Sequence, residues 1–309
     1  MHMALSYFKA LSDETRLRLV YILLHYELSV NELVRILDMG QSRVSRHLKI
    51  LAEAGLLVSR RDGLWVFYAA PRTGESSDFL HAVMPFVHSR AIFAADMHMA
   101  AQILEERALK TCQFFNAIAE DWDELNREVI GSFDLPAAVC AAMSGHCDVA
   151  VDLGCGTGAV LVRMLSRSEN VIGVDGSARM LDICRRRFRP EDVDGGRVSL
   201  RIGELSHLPL RDGEAYFASI NLVLHHLSDP LASLMEIRRV LKPGGRIFVA
   251  DFERHANESM RSRYGDRWLG FDEDILTTYL VNAGFAEVRC SKKAVEQGMT
   301  LLLLDAVAS

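Results

Sequence analysis

Apolar residues recur at helical spacing through the first part of the chain. Ser12 and Asp13 can cap a first helix that continues through Leu24, and a second helix is predicted over 30–37. The sequence Asp38-Met39-Gly40 breaks the pattern before a third helix begins near Gln41. Beyond Gly55, an Asp62-Gly63 turn separates two β-prone runs, 57–61 and 64–68. These elements predict a winged helix-turn-helix domain.

A turn-rich break at 71–77 ends this first pattern. The segment from 78 to about 110 is predicted to be helical and is rich in Ala, Met, Phe and Ile on several faces. That is more apolar than a solitary surface helix should be. We therefore expect a partner to cover it.

From Asp148 onward, apolar runs alternate with helical patterns. Strands are predicted at 148–153, 170–175, 198–202, 215–221 and 246–252, with helices near 158–167, 177–188 and 230–241. A helix from Asp272 to Ala283 and two last strands, 286–293 and 299–307, complete the pattern, and we expect those strands to form a hairpin. The alternation predicts an α/β doubly wound, Rossmann-like sheet after a mainly α winged helix. The predicted domains are 1–77, a dimerisation or linker helix at 78–110, and 111–309.

Composition and charge fit two folded domains in a chain of 309 residues, at roughly 150 residues per domain. Residues 1–77 carry 10 Lys+Arg against 8 Asp+Glu, whereas the remainder carries 25 against 33. The first part therefore suits a polyanion better than the second. The six cysteines form no C-x-x-C pair, and no run reaches the ~20 apolar residues of a membrane span. We expect a soluble bacterial protein of the cytoplasm that has reduced thiols and no membrane partner.

The most specific motif is the glycine-rich sequence Asp152-Leu153-Gly154-Cys155-Gly156-Thr157-Gly158, at the end of the first strand of the predicted sheet. Its third glycine comes too early for a dinucleotide fingerprint, and Asp152 would place a carboxylate near a pyrophosphate. A cationic ligand without phosphates, such as S-adenosylmethionine, fits better. Asp175 follows Gly154 by 21 residues, where an acid can accept both ribose hydroxyls. Glu204 could meet an adenine amino group.

Together these motifs resemble class I S-adenosylmethionine-dependent methyltransferases over roughly 110–309. The resemblance implies a pocket for S-adenosylmethionine or S-adenosylhomocysteine. Its predicted lining is Phe115, Trp122, Asp152, Gly154, Cys155, Gly156, Asp175, Gly176, Met180, Gly203, Glu204, Leu205, Asn221, Leu222 and His226. No catalytic residue is fixed by the sequence; the candidates are His225, His226 and His255. A histidine pair at that place in the fold also commonly serves packing.

The third helix of the first domain is basic on the face that its apolar residues leave free. Arg60 and Arg61 on the wing could add contacts to the DNA backbone. The predicted DNA-contacting residues are Gln41, Ser42, Arg43, Ser45, Arg46, His47, Lys49, Arg60 and Arg61. A winged helix that serves protein contacts alone remains the alternative.

The sequence from Gln41 to Leu56 is similar to the ArsR/SmtB family of dimeric bacterial repressors. The resemblance implies a homodimer that pairs through its first and last helices on an inverted-repeat operator in double-stranded DNA. Ser29 and Asn31 stand where the metal sensors of that family place cysteines, so we expect no thiolate metal site there. His81, His88 and His98 on the dimer helix are also expected to bind no metal.

The combination resembles fused regulators that respond to S-adenosylhomocysteine. The first interpretation is that the protein is a DNA-binding transcriptional repressor whose effector is an S-adenosyl ligand. The second is an active methyltransferase with an autoregulatory DNA-binding domain. Its small-molecule acceptor would be bound by 251–255 and 260–271, where Arg254, His255, Tyr264 and Trp268 are the candidates. The fourth strand lacks the Asn/Asp-Pro-Pro-Tyr/Phe motif of nucleic-acid methylation, and no set of cysteines is placed to hold arsenite.

Overall fold

The computed structural model describes residues 2–62, 65–87, 91–143 and 145–309, and the chain divides into two units, Met1–Leu109 and Lys110–Ser309. Each unit has its own hydrophobic core. Among the described residues, no helix combines the length and the apolar composition that crossing a membrane requires.

The first unit is a helical domain with a three-stranded antiparallel sheet of order β1-β3-β2. Its elements are α1 (His2–Leu11), α2 (Glu14–His25), β1 (Leu28–Ser29), α3 (Val30–Leu37), α4 (Gln41–Glu53), β2 (Val58–Asp62), β3 (Trp65–Ala69), α5 (Glu75–Val83) and the start of α6 (Ala91–Ile118). The predicted winged helix-turn-helix is confirmed. Gly63 of the predicted turn lies outside the described residues.

Local chemistry explains where the first helices begin. The Asp13 side chain accepts a hydrogen bond from the Arg16 backbone N–H and so caps α2. Helix α3 begins with a capping box in which Glu32 accepts from the Ser29 backbone N–H at 2.8 Å. The helix ends at Asp38, which adopts a left-handed conformation with φ 50°. Ser29, at the place of a sensor cysteine, thus serves as a helix cap.

The predicted helix over 78–110 is interrupted in the structure. Helix α5 begins earlier, at Glu75, and a 3₁₀ turn at Met84–Phe86 follows it. Pro85 lies within this turn and has no backbone N–H to continue an α-helix. The segment packs into the same core as the winged helix through Leu80, Met84, Ala100 and Ile103. It therefore belongs to the first unit.

The second unit contains a seven-stranded sheet of order β6-β5-β4-β7-β8-β10-β9. Its strands are β4 (Cys147–Leu153), β5 (Ser168–Asp175), β6 (Val198–Ile202), β7 (Ala215–Asn221), β8 (Leu241–Phe252), β9 (Phe285–Ala294) and β10 (Thr300–Ala308). Its helices are the end of α6, α7 (Trp122–Ile130), α8 (Leu135–Ala142), α9 (Ala159–Met164), α10 (Ala178–Arg185), α11 (Pro190–Asp194), α12 (Pro230–Val240), α13 (Ser259–Arg263) and α14 (Glu273–Asn282). Strands β4 to β8 pair in parallel, and β10 pairs antiparallel with β8 and β9. The predicted doubly wound sheet and carboxy-terminal hairpin are confirmed.

The strand order reverses at β4. From β4 the chain adds β5 and β6 on one side, and it then returns to add β7 and β8 on the other. Ligands of doubly wound sheets bind where the strand order reverses in this way, outside the carboxyl ends of the strands. The glycine-rich sequence follows β4 directly, so it lies at this switch point.

Candidate functional site

The loop between β4 and α9 depends on its three glycines. Gly154, Gly156 and Gly158 all have positive φ, at 67°, 51° and 85°. A Cβ atom at Gly154 would come within 2.5 Å of the Val223 side chain, and one at Gly158 within 2.3 Å of the Cys184 sulfur. The indole Nε1 of Trp122 is 3.4 Å from the Cβ position of Gly156, so Trp122 lies against the loop.

Asp175 at the end of β5 holds the loop from one side. Its Oδ2 accepts from the Gly156 backbone N–H and its Oδ1 from the Ser177 backbone N–H, both at 2.8 Å. Burial raises the pKa of this carboxyl despite the two hydrogen bonds. Each carboxylate oxygen has a second lone pair, so the group can still accept hydrogen bonds from a ribose.

Asp152 in β4 is held by side chains of the neighbouring strand β7. It is 3% exposed, and its Oδ1 accepts from Ser219 Oγ at 2.6 Å and from Asn221 Nδ2 at 3.4 Å. Burial raises its pKa to about 7, although both hydrogen bonds oppose the shift. The Asn221 Oδ1 atom is buried and has no hydrogen-bond partner among the described residues. Asn221 therefore retains an acceptor that a ligand could use.

Other predicted pocket residues differ in exposure. Met180, Leu205 and Leu222 are buried, whereas Glu204 is exposed and forms an isolated bridge with His207. A hydrogen bond with Cys184 and burial raise the pKa of Cys155 well above its usual range, so this group is a protonated thiol and a poor nucleophile. Leu222 adopts φ 57°, a conformation that is strained for a branched side chain.

Two residues that were not predicted from the sequence, Asn116 and Asp123, connect helices α6 and α7 to this loop and to the neighbouring turn after β5. Asn116 accepts a hydrogen bond from Ser177 Oγ at 2.7 Å, and Asp123 accepts one from Thr157 Oγ1 at 2.6 Å. The partners are 61 and 34 residues apart along the chain, so no local pattern signals them. Phe115 lies beside Trp122, with ring centroids 5.5 Å apart. Both residues are predicted to line the pocket, and their rings lie close together in the second unit.

A buried histidine pair follows β7 in the 3₁₀ turn Leu224–His226. His225 Nδ1 is 2.7 Å from Asp251 Oδ1, and its Nε2 is 3.5 Å from Asp266 Oδ1. Burial lowers the pKa of His225, but the two carboxylates outweigh burial and raise it to about 9. Burial and the neighbouring charge of His225 lower the pKa of His226, which is therefore neutral at pH 7. The pKa of Asp266 is raised to about 6, chiefly by burial.

The remaining candidates for acceptor binding have structural partners. Arg254 pairs with Asp272 at 3.0 Å, and Tyr264 donates to Glu128 at 3.0 Å. The buried Trp268 donates to the Leu227 carbonyl at 2.7 Å. His255 accepts from the Asn257 backbone N–H at 3.2 Å. These contacts show a structural use for each side chain, and an acceptor role for them stays a prediction.

Helix α4 presents most of its predicted DNA-contacting residues to solvent. Exposed on it are Gln41, Ser42, Arg43, Arg46 and Lys49, and Ser45 is half-buried. Val44, Leu48 and Leu51 are fully buried, so the opposite face is fixed to the core. This exposed basic face has the form of a recognition helix.

Two residues that are predicted to contact DNA have partners within the first unit. His47 is only 8% exposed, and its Nδ1 is 3.7 Å from Asp13 Oδ1, so the ring packs inside the domain. The Arg60 guanidinium is held by Glu27, with two atom pairs at 3.3 Å, and lies over the Phe67 ring. The burial of His47 argues against a DNA contact by this ring, whereas a contact of Arg60 with the DNA backbone stays a prediction. Arg61 is exposed.

Two protein-family models match separate parts of the chain. Residues 13–59 match the bacterial regulatory proteins of the arsR family, and residues 151–249 match a methyltransferase domain. The matches confirm the two resemblances that the sequence motifs indicate.

Curated relatives cover part of the chain. An uncharacterized 37.1 kDa protein from a transposon of Streptomyces fradiae is 41% identical over 105 residues, which are 33% of this chain and 29% of that protein. A demethylmenaquinone methyltransferase of Lactiplantibacillus plantarum is 34% identical over 142 residues, which are 43% of this chain and 58% of that enzyme. The chain therefore spans less than two thirds of either relative.

Solved structures share the fold of the second unit. The [4+2]-cyclase SpnF matches 63% of this chain and 94% of its own, with a TM-score of 0.53 and 18% identity. A second match is a chain of the complex between the Haloferax volcanii Trm112 methyltransferase activator and a putative methyltransferase. The TM-score is 0.52 and the identity is 21%, and the match covers 63% of this chain and 97% of that one. A cyclase among these structures means that the fold by itself does not define the reaction.

Proposed function

We propose that this chain, which joins an arsR-family helix-turn-helix to a class I methyltransferase domain, is a bacterial, cytoplasmic transcriptional regulator. It binds double-stranded DNA through α4, and S-adenosylmethionine or S-adenosylhomocysteine acts as its effector in the second unit. Of the two functions, regulation has the more specific support, because both a recognition helix and a ligand loop are intact in one chain.

The observation that carries this proposal is the set of contacts made by the continuous helix α6. In the first unit, Asp96 on α6 accepts two hydrogen bonds of 2.7 Å from Arg18 on α2, and Arg107 bonds to Glu32 on α3. In the second unit, the same helix carries Asn116, which bonds to Ser177 beside the glycine loop. A ligand that reorders the loop therefore acts on an element that also holds the helix-turn-helix.

The chemistry of the loop supports an S-adenosyl ligand. Asp152 and Asp175 lie at the carboxyl ends of adjacent strands, beside backbone that only glycine can supply. The Asp175 carboxylate suits the ribose hydroxyls, and carboxylates near the loop favour an ammonium or sulfonium over a phosphate. These features do not distinguish the methylated ligand from its demethylated product.

A homodimer on an inverted repeat completes the proposal. Helix α1 exposes Met3, Leu5 and Phe8, which are 50 to 57% accessible. Three large apolar side chains on one short helix are the kind of surface that a second copy would cover. The two copies then present two recognition helices to the half-sites of an operator.

A DNA-shift titration tests the proposal. The probe is a duplex that the purified chain selects from random-sequence DNA, with selection run both without ligand and with each S-adenosyl compound. A coupling of ~1 to 3 kcal/mol corresponds to a change of roughly 5 to 150-fold in DNA affinity. A change in this range with either compound supports the regulator, and equal affinity under all three conditions contradicts it.

A second candidate function is methyl transfer to a small molecule. The neutral His226 and the His225–Asp251 pair could move a proton from an acceptor, and one relative is named a demethylmenaquinone methyltransferase. Radiolabelled methyl transfer to a cell extract tests it. Turnover that is lost in His226→Gln while ligand binding persists would establish this activity.

A further inference from the structure

His225, His226 and Asp266 bring three potential metal ligands together in the buried part of the second unit. One atom from each residue lies within 4.8 Å of the other two. We propose that these three side chains bind a divalent transition-metal ion of the Zn²⁺ class. The site differs from the thiolate site that the sequence lacks around Ser29, and it does not depend on the proposed regulatory function.

Hydrogen bonds leave one nitrogen of each imidazole for a metal. His225 Nδ1 donates to Asp251 Oδ1 at 2.7 Å, and His226 Nδ1 donates to the Gly265 carbonyl at 3.2 Å. Because both acceptors are oxygens, the Nδ1 atoms carry the protons and the Nε2 atoms supply the lone pairs. Histidine ligands of metal ions are commonly oriented in this way, by a carboxylate or a backbone carbonyl on the other nitrogen.

Asp266 is the independent observation that points to a cation. Its side chain is buried, and neither carboxylate oxygen has a hydrogen-bond partner among the described residues. Its closest ionic contact given by the structure is His225 Nε2 at 3.5 Å, which is beyond hydrogen-bonding distance. A buried carboxylate without hydrogen bonds is costly, and a bound cation would compensate that cost.

The distances suit a small coordination sphere. With bonds of ~2.05 Å, two ligands of a tetrahedral ion are ~3.3 Å apart, close to the 3.5 Å between His225 Nε2 and Asp266 Oδ1. The ligand atoms of the cluster lie within 4.8 Å of one another, so closing any pair to ~3.3 Å requires a movement of at most ~1.5 Å, shared between the side chains. Two imidazoles and one carboxylate favour Zn²⁺ or Fe²⁺ over Mg²⁺ or Ca²⁺. Three protein ligands leave a fourth position open.

The alternative explanation of this cluster is that a proton on His225, and not a metal ion, compensates the buried carboxylates. Without metal, a protonated His225 lies between the carboxylates of Asp251 and Asp266, which neutralises part of their charge. When a metal ion binds, it displaces the Nε2 proton to solvent and bonds to the lone pair that this releases. The two states make different predictions for metal binding by the purified chain.

The experiment titrates the metal-stripped full chain with Zn²⁺ in competition with a chromophoric chelator. We expect one tight equivalent in the wild type, at least tenfold weaker binding in Asp266→Asn and His226→Gln, and wild-type binding in the control His146→Gln, which removes an exposed imidazole. Melting temperature and the far-ultraviolet circular dichroism spectrum verify that each variant is folded.

Substitution with Co²⁺ identifies the ligands. The expected spectrum has the visible bands of a nitrogen- and oxygen-bound ion and lacks the near-ultraviolet band of thiolate ligation, which any of the six cysteines could otherwise produce. The proposal would be overturned if the wild type bound no stoichiometric Zn²⁺. It would also be overturned if both variants kept the affinity of the wild type, or if the Co²⁺ spectrum showed thiolate ligation.

Discussion

Asp152 and Asp175 lie beside the same loop, yet different groups hold the two carboxylates. Side chains of β7 hold Asp152, whereas backbone N–H groups of the loop and of Ser177 hold Asp175. The first carboxyl therefore connects two strands, and the second shapes the surface that meets a ligand. Substitutions at these residues should have different consequences.

Replacing Asp175 with Ala should weaken binding of S-adenosylhomocysteine at least tenfold, because the ribose loses its acceptor and the loop loses two hydrogen bonds. Isothermal titration calorimetry measures the affinity. Asp182→Ala, at an exposed position of α10, is the matched control and should bind like the wild type. Equal affinity of the Asp175 variant and the control would remove the ribose assignment.

Replacing Asp152 with Asn should change how stability depends on pH. The carboxyl has a pKa of about 7 when folded and an ordinary value of 3.8, so between these values the folded protein holds a proton that the unfolded chain has released. Raising the pH from 4 to 8 should therefore lower the free energy of unfolding of the wild type, and the variant should not show this loss. Urea unfolding at several pH values, followed by tryptophan fluorescence, should show the variant gaining on the wild type as pH rises. A pH-independent difference would contradict the shifted pKa.

The roles of single residues are easier to predict from the sequence when they depend on the residue's own backbone conformation. They are harder to predict when they depend on partners far away in the chain. The loop glycines have the positive φ angles that their motif implies. Asp266 was not singled out, because its neighbour His225 lies 41 residues earlier. The error at His47 was avoidable, since it follows the buried Val44 by three positions and so shares its helix face.

Among the elements, α4 determines DNA binding in this account. Arg46→Ala should lower affinity for the selected duplex at least tenfold, since one base contact is worth ~1 to 3 kcal/mol and a dimer makes it twice. S-adenosylhomocysteine binding should be unchanged. Arg185→Ala removes an equal charge from an exposed position of the second unit and is the control. Fluorescence anisotropy gives both affinities, and equal loss in the two variants would mean that only overall charge matters.

Helix α6 connects to α3 through Glu32 and Arg107, which are mostly buried. Burial raises the pKa of Glu32, but the bonds from Arg107 and Ser29 outweigh it and hold that pKa below its usual value. Glu32→Gln keeps an acceptor for the capping box and removes the ionic partner of Arg107. We expect the effect of ligand on DNA affinity to fall by roughly 2 to 30-fold.

The control for this variant is Glu106→Gln, which breaks the exposed pair with Arg35. Exposed pairs contribute little, so ligand should still change DNA affinity as in the wild type. Anisotropy titrations with and without S-adenosylhomocysteine measure both variants. The role assigned to α6 would be refuted if Glu32→Gln retained the full wild-type response.

Element types and order were predictable because hydrophobic period separates strands from helices. The strands at 198–202 and 215–221 occur where predicted, and the helix at 30–37 does as well. Sequence alone extended one helix through Pro85, where the structure has a 3₁₀ turn. The short strand β1 was missed, since two residues carry no periodicity.

For the whole molecule, we propose that occupancy of the ligand loop and DNA binding by α4 influence each other. Sequence predicted both domains because each contains a compact motif. It could not predict coupling, which depends on contacts between residues far apart in the chain, such as Arg18 with Asp96. Thermodynamic linkage requires that the influence be mutual.

The most direct test is therefore the reciprocal one. Calorimetry would measure the dissociation constant of S-adenosylhomocysteine, and of S-adenosylmethionine, for the free chain and for the chain saturated with its selected duplex. We expect DNA to change at least one of these constants by the factor by which that ligand changes DNA affinity, roughly 5 to 150-fold. Identical constants with and without DNA would contradict this expectation.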